Sequence, residues 1–124
     1  MTTYKIVTMT TYKIVCSDYR SLNGRVQYIT GRESEVPGNG AYGSATGEGI
    51  LSAGVLPPDA RWVALGVREQ TQTDDVPSGV STWRYATLLR ECTPAEIHRL
   101  CLAAVRHDGS VLYDVPEALR TEAL

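Results

Sequence analysis

The chain has 124 residues, of which 43% are hydrophobic and 21% charged, and its formal net charge at pH 7 is −2. This length fits a single domain, and the composition is typical of a globular protein, which argues against wholesale disorder. The slight negative charge argues against a nucleic-acid partner, because such proteins usually carry a basic surface. Nucleic-acid binding stays open only through a local patch of Tyr and Arg on a sheet face.

The cysteines predict a reducing compartment. Cys16, Cys92 and Cys101 are odd in number and show neither a CxxC motif nor the Cys/His spacing of a zinc site. No apolar run approaches the roughly 18 residues of a membrane span, and the N-terminus lacks the apolar core of a signal peptide. We therefore expect a cytoplasmic protein without a cofactor, a metal or a membrane partner.

The N-terminus contains a tandem repeat, because MTTYKIV at residues 1–7 recurs at residues 9–15. An offset of eight residues is too short for a solenoid, whose period is about 20 to 50 residues. We assign the native strand to residues 11–16, treat residues 1–8 as a duplicated arm, native or not, and expect one α+β domain over residues 9–124. Three outcomes stay open for the arm: disorder, continuation of the strand, or competition for the same sheet position with donation to a neighbouring molecule.

A second strand is expected at residues 25–31, after the turn signal Asn23-Gly24. Over residues 11–31 the chain carries a pattern made of Tyr12-Lys13-Ile14-Val15, Asp18, Arg20-Ser21, Val26-Gln27-Tyr28 and Gly31. This pattern resembles the opening of small uncharacterised proteins of bacteriophages and bacteria. The resemblance implies a β-rich start and a native beginning near Met9, and it brings no activity or site with it.

Residues 33–49 are rich in glycine and predict a loop. Within them Gly38, Gly40 and Gly43 match GxGxxG, which in dinucleotide sites brings a tight turn against the pyrophosphate ahead of a helix. Here no clear strand precedes the motif and no helix follows it. Two interpretations stay open: a plain connection, and a phosphate contact through the three glycines.

The central strands are predicted at residues 49–55, 61–69 and 81–90. In the second of these, Val63, Leu65 and Val67 share one face, and Trp62, Ala64 and Gly66 share the other. The connection at residues 70–80 is long and polar, so it is either a recognition loop or an ordinary solvated loop.

The clearest helix is predicted at residues 94–107. Thr93 and Glu96 form a capping box around Pro94, and residues 97, 100, 101, 104 and 105 form an apolar stripe. Asp108-Gly109 offers a residue that can take a positive φ and end the helix. After it, residues 110–114 are expected to form a short strand parallel to the preceding one, and the tail from residue 115 a helical turn that docks on its own domain or on another subunit.

No arrangement for catalysis is evident. His98 and His107 are nine residues apart, which at about 100° per residue places them roughly 180° apart around one helix, so they do not form an adjacent pair. Cys92 precedes the helix N-terminus, where the helix dipole would lower its thiol pKa, although a passive buried cysteine is the commoner case.

The sequence thus predicts an α+β fold, with a mostly antiparallel sheet of about five or six strands and one amphipathic helix packed on one face. Its expected function is non-enzymatic binding of a protein partner or of a second copy. The expected contact residues are Trp62, Arg68, Asp74, Asp75, Trp83, Arg84 and Tyr85, although both tryptophans also suit a core. The alternative is a small enzyme or a nucleotide-binding or phosphate-binding module that uses the glycine-rich loop 38–49.

Overall fold

The computed structural model describes residues 9–36, 40–51, 56–57, 59–71, 76 and 78–115. Several predictions fall outside these residues: the fate of the duplicated arm 1–8, the position of Gly38, the acidic pair Asp74 and Asp75, and the helical turn expected in the tail. Of the helices in the described part of the chain, none is both long enough and apolar enough to cross a membrane.

The described chain forms a five-stranded antiparallel sheet and one α-helix, which confirms the predicted α+β class. The strands are β1 (Met9–Val15), β2 (Glu33–Glu35), β3 (Ala41–Gly43), β4 (Arg61–Thr71) and β5 (Ser81–Glu91). The helix α1 spans Pro94–His107, and a 3₁₀ helix follows at Gly109–Asp114. The strand order is β1-β4-β5-β2, and β3 also pairs with β5.

The sheet curls until its first strand meets β3. Ser44, which directly follows β3, exchanges two backbone hydrogen bonds with Tyr12 of β1, at 3.0 and 2.9 Å. The path β1-β4-β5-β3 therefore returns to β1 through a single bridge, and the edge of β1 is partly covered. Gly43 permits this approach, because a Cβ at that position would lie 2.5 Å from a side-chain carbon of Thr11.

Strand β4 is buried on both faces. Its residues 62–67 are all buried, and side chains alternate between faces along a strand. On one face Val63, Leu65 and Val67 pack with Leu88 of β5 and with Tyr28, which belongs to the connection between β1 and β2. On the other face Trp62 packs against the helix. The predicted alternation along β4 is therefore confirmed.

The helix begins as predicted. The Thr93 hydroxyl accepts a hydrogen bond from the Glu96 backbone N–H at 3.2 Å, and the Glu96 carboxylate accepts one from the Thr93 N–H at 2.9 Å. Leu100, Cys101 and Ala104 are buried against the sheet, so the apolar stripe is the packing face. The helix also ends at His107 as predicted, but the expected way of ending it is wrong. Asp108 ends the helix in an extended conformation with φ −146°, and no positive φ is used.

Two predicted strands are wrong. Residues 25–31 make only isolated bridges, because Gly24 and Gly31 turn the chain at φ 76° and 77° and Tyr28 is drawn into the core. Residues 110–114 belong to the 3₁₀ helix, whose start is fixed by the Asp108 carboxylate accepting from the Ser110 backbone N–H. Of the expected strand at 49–55, residues 49–51 form a turn, and the rest lies outside the described residues.

Candidate functional site

The structure separates the residues that were predicted to contact a partner into two groups. Trp62 and Trp83 are 5% and 8% exposed and belong to the core, so their side chains present almost no surface. Arg68, Arg84 and Tyr85 lie together at the surface of the sheet. The alternative interpretation of the tryptophans as core residues therefore holds, and the arginines and the tyrosine remain as the candidate contact residues.

These residues lie on the part of the sheet that the helix leaves uncovered. In β4, Trp62, Ala64, Gly66 and Arg68 share one face, and α1 packs at the Trp62 end. Residues that are paired across neighbouring strands share a face of the sheet. Arg68 pairs with Tyr85 and Gly66 pairs with Thr87. Tyr85 and Thr87 in turn pair with Glu35 and Glu33 of β2, so these four residues lie on the same face as Gly66 and Arg68. We call the surface formed by Arg68, Tyr85, Thr87, Leu89, Glu33 and Glu35 the open face.

An arginine stack occupies one side of the open face. The Arg68 guanidinium lies 3.8 Å from the centroid of the Tyr85 ring, and that of Arg84 lies 5.3 Å from it. Arg68 also donates two hydrogen bonds to the Glu33 carboxylate, at 2.9 and 2.7 Å. These bonds hold the pKa of Glu33 below its ordinary value and raise that of Arg68. The stack is thus fixed in place by cation–π and bidentate contacts.

Glu69 connects the two arginines. Its carboxylate lies 3.6 Å from Arg68 and 3.6 Å from Arg84, which itself pairs with Glu35 at 3.1 Å. Glu69 also adopts φ 57°, in the left-handed region that non-glycine residues rarely enter. The result is a surface network in which positive and negative charges alternate.

Leu89 supplies the apolar part of the open face. The pairing of β4 with β5 shifts by one residue, because Leu65 faces Leu88 while Ala64 faces Arg90. Leu89 is the extra residue of this bulge. Its side chain is 45% exposed and would lie 3.5 Å from a Cβ at Gly66. A large apolar side chain therefore rests on bare backbone in the middle of the sheet.

The described glycines of the GxGxxG motif serve packing. A Cβ at Gly40 would lie 2.6 Å from the Trp83 carbonyl oxygen, and Gly40 adopts φ +90°. Gly43 faces Thr11 in the same manner. The close approach of Trp83 and Thr11 explains why glycine stands at these two positions, and a phosphate contact is not required to explain it.

A cleft that the sequence did not predict lies at the junction of β1 and β3. Its volume is about 330 Å³, and its lining includes Lys13, Tyr42, Leu22, Ile50 and Val80. Lys13 donates to the Tyr42 carbonyl at 3.3 Å, and burial lowers the pKa of its amine from 10.5 to about 8. The one signal of this cleft in the sequence is Lys13, a charged residue between Tyr12 and Ile14 in a predicted strand.

The thiol of Cys92 is not activated. Burial first, and then the negative charge of Glu96, raise its pKa to about 11, which contradicts the lowering expected from the helix dipole. His107 lies 3.7 Å from the Glu48 carboxylate, away from Cys92 in sequence and on the last turn of α1. Among the residues that the structure describes, no cluster of His, Cys, Asp or Glu is arranged to hold a metal ion.

Comparison with known proteins adds no assignment to this geometry. No protein-family model, no curated protein and no solved structure matches the chain. The resemblance of residues 11–31 to phage and bacterial proteins therefore stays a prediction, and the function must be inferred from the surfaces described above.

Proposed function

We propose that this chain is a small, non-enzymatic protein-binding module that acts through its open face, and that its partner is a second copy of the same chain. The observation that carries the proposal is Leu89, an apolar side chain that is 45% exposed and lies on the same sheet face as the arginine–tyrosine stack. Tyr and Arg are the residues that most often dominate the energy of protein interfaces.

The two ends of this sheet face differ in whether the helix covers them, and we expect the contact at the uncovered end. At the Trp62 end, α1 covers the sheet and buries Trp62 and Ile14. At the Gly66 end, no described element covers Leu89. An apolar side chain bordered by charged groups is consistent with an interface, which has an apolar centre and a polar rim.

Charge supports a second copy as the partner. The open face carries Arg68 paired with Glu33, and it carries Glu35, whose partner Arg84 lies at its border. A two-fold axis places the same surface against itself, so each Arg of one copy can approach a Glu of the other while the two Leu89 side chains meet. A surface with a single sign of charge would instead repel its own copy.

Location and source belong to the same proposal. The three cysteines are free in the structure, which supports a reducing compartment, and we propose the cytoplasm. The resemblance of residues 11–31 supports a role as a phage or bacterial accessory protein.

Sedimentation equilibrium tests self-association. We expect a mass above the 13.5 kDa of one chain that rises with concentration between about 10 μM and about 1 mM, the range of weak to moderate dimers. Leu89→Arg should keep the protein monomeric at all of these concentrations, because it places two like charges opposite each other at the centre of the proposed interface. Ala45→Arg is the matched control, since it adds the same charge at an exposed position outside the open face.

Two outcomes would overturn the proposal. One is a monomer at every concentration, and the other is association that Leu89→Arg leaves unchanged. Far-ultraviolet circular dichroism of Leu89→Arg must match that of the parent protein; otherwise Leu89→Gln, which removes the apolar contact without adding a charge, takes its place.

A further inference from the structure

The cleft between β1 and β3 is separate from the open face. Its charged lining side chain is Lys13, and no other charged side chain lines it among the residues that the structure describes. The remaining surface is largely apolar and comes from three parts of the chain, represented by Leu22, Ile50 and Val80. A volume of about 330 Å³ lies at the small end of the range of ligand sites.

Lys13 is only partly satisfied inside this cleft. Its ammonium group has three donors, and the described contacts are one hydrogen bond to the Tyr42 carbonyl and a position 5.8 Å from the centroid of the Tyr42 ring. It pairs with no carboxylate among the described residues, whereas Arg20, Arg61, Arg68, Arg84 and Arg90 each do. Burying a cation without an anion is costly, and a bound anion would relieve that cost.

The two serine hydroxyls in the lining of the cleft are engaged in hydrogen bonds within the chain. The Ser44 hydroxyl donates to the Glu48 carbonyl at 2.7 Å and accepts from the Gly47 N–H at 3.0 Å. On the opposite side the Ser21 hydroxyl donates to Asn23 at 2.6 Å. Because these two hydroxyls are already used, Lys13 is the one charged donor that the described lining offers a ligand, beside the neutral Asn23 amide, the Tyr12 and Tyr42 hydroxyls and largely apolar walls.

We propose that the cleft is a binding site for a small organic carboxylate with an apolar body, and that the Lys13 ammonium is its counterion. A single cation matches a single carboxylate charge. A phosphate would carry more charge than the one cation among the described lining residues balances. The proposal does not depend on the function assigned to the open face.

Titration followed by ¹H–¹⁵N correlation spectra tests the site with benzoate and hexanoate as probes. We expect saturable shifts at Gly43, Ser44 and Ile50, and none with benzamide or hexanamide at the same concentrations. Lys13→Met should weaken benzoate binding by at least about tenfold, since a hydrogen bond to a charged group is lost. Lys13→Arg should retain part of the affinity, and Arg32→Met, at an exposed position, should retain all of it.

The affinity for benzoate should fall as pH rises from about 7 to about 9, because Lys13 loses its proton in this range. The other titratable side chains that line the cleft are the phenols of Tyr12 and Tyr42. Tyr42→Phe removes one of these phenols and keeps the backbone carbonyl that accepts from Lys13, so a fall in affinity between about pH 7 and about pH 9 that persists in this variant excludes the Tyr42 phenol as its source.

Three results would overturn the proposal: benzoate and benzamide binding alike, shifts spread over residues outside the cleft, or inorganic phosphate binding more tightly than benzoate with the same shifts. If Lys13→Met does not fold, the comparison of acid with amide on the parent protein still decides the question. A monomeric protein that binds benzoate would reject the function proposed for the open face and leave this site intact.

Discussion

The contact between Gly43 and Thr11 makes the sharpest prediction about the fold. Gly43→Ala would place a Cβ 2.5 Å from one Thr11 side-chain carbon and 2.6 Å from its hydroxyl oxygen. Real contacts at such distances do not occur, so β3 or Thr11 must move. Thr11 is 3% exposed and has little room to do so. Overpacking of this kind costs about 1–3 kcal/mol of the free energy of unfolding.

The second substitution, Thr11→Ala, removes the two closest of these atoms. By itself it should cost about 1 kcal/mol, because a buried methyl group and a hydroxyl are lost. In the double variant the new Cβ at Gly43 occupies part of the space that Thr11 left. The two effects should therefore not add, and the double variant should be more stable than their sum by about 1–2 kcal/mol.

Urea denaturation followed by tryptophan fluorescence measures these free energies, provided that the slope with denaturant stays constant. Gly40→Ala is the matched control. Its Cβ would meet the Trp83 backbone oxygen at 2.6 Å, and Gly40 has φ +90°, so Thr11→Ala should give it no rescue. The reasoning is refuted if Gly43→Ala is as stable as the parent, or if the double variant is simply additive.

Three further predictions concern the helix and its surroundings. Thr93→Ala, which breaks the capping box, should cost about 1 kcal/mol in the same urea assay, and no loss of stability would mean that the cap is unimportant. Hydrogen bonds from Arg90 and Thr93 lower the pKa of Glu96 to about 2, so its contribution to stability is present above pH about 4.5 and is lost as pH falls toward 2. Glu96→Gln should flatten that part of the pH profile, and an unchanged slope would contradict the assignment. Burial raises the pKa of the Cys92 thiol to about 11, so iodoacetamide at pH 8 should alkylate Cys92 much more slowly in the folded protein than in urea. Peptide mass spectrometry follows the reaction, and equal rates in the two states would contradict the burial of this thiol.

Local interactions could be predicted from the sequence because their residues lie close together in the chain. The capping box joins Thr93 to Glu96, three residues away, and the apolar stripe of α1 repeats with the period of a helix. The faces of β4 follow from a period of two in the same way. These features required no knowledge of what the elements pack against, and the structure confirms them.

Contacts between distant residues decided the rest. Whether Trp62 and Trp83 face a partner or the core depends on which elements cover them, and a strand pattern is the same in both cases. Residues 25–31, which were predicted to form a strand, have an alternating pattern too. Tyr28 instead packs in the core, and the chain turns at Gly24 and Gly31, which have positive φ. Gly40 and Gly43 of the GxGxxG pattern likewise serve packing, because Gly40 lies against the Trp83 backbone and Gly43 lies against Thr11.

The sequence by itself therefore determined the class of fold, the helix and the alternation of its central strands, since each rests on spacing within about four residues. Only the tertiary structure brought Arg68, Arg84 and Tyr85 together and left Leu89 exposed at the surface of the sheet. Only the tertiary structure placed Lys13 in a cleft with residues from beyond position 40, because curling a sheet until β1 meets β3 is a long-range event that no local pattern encodes.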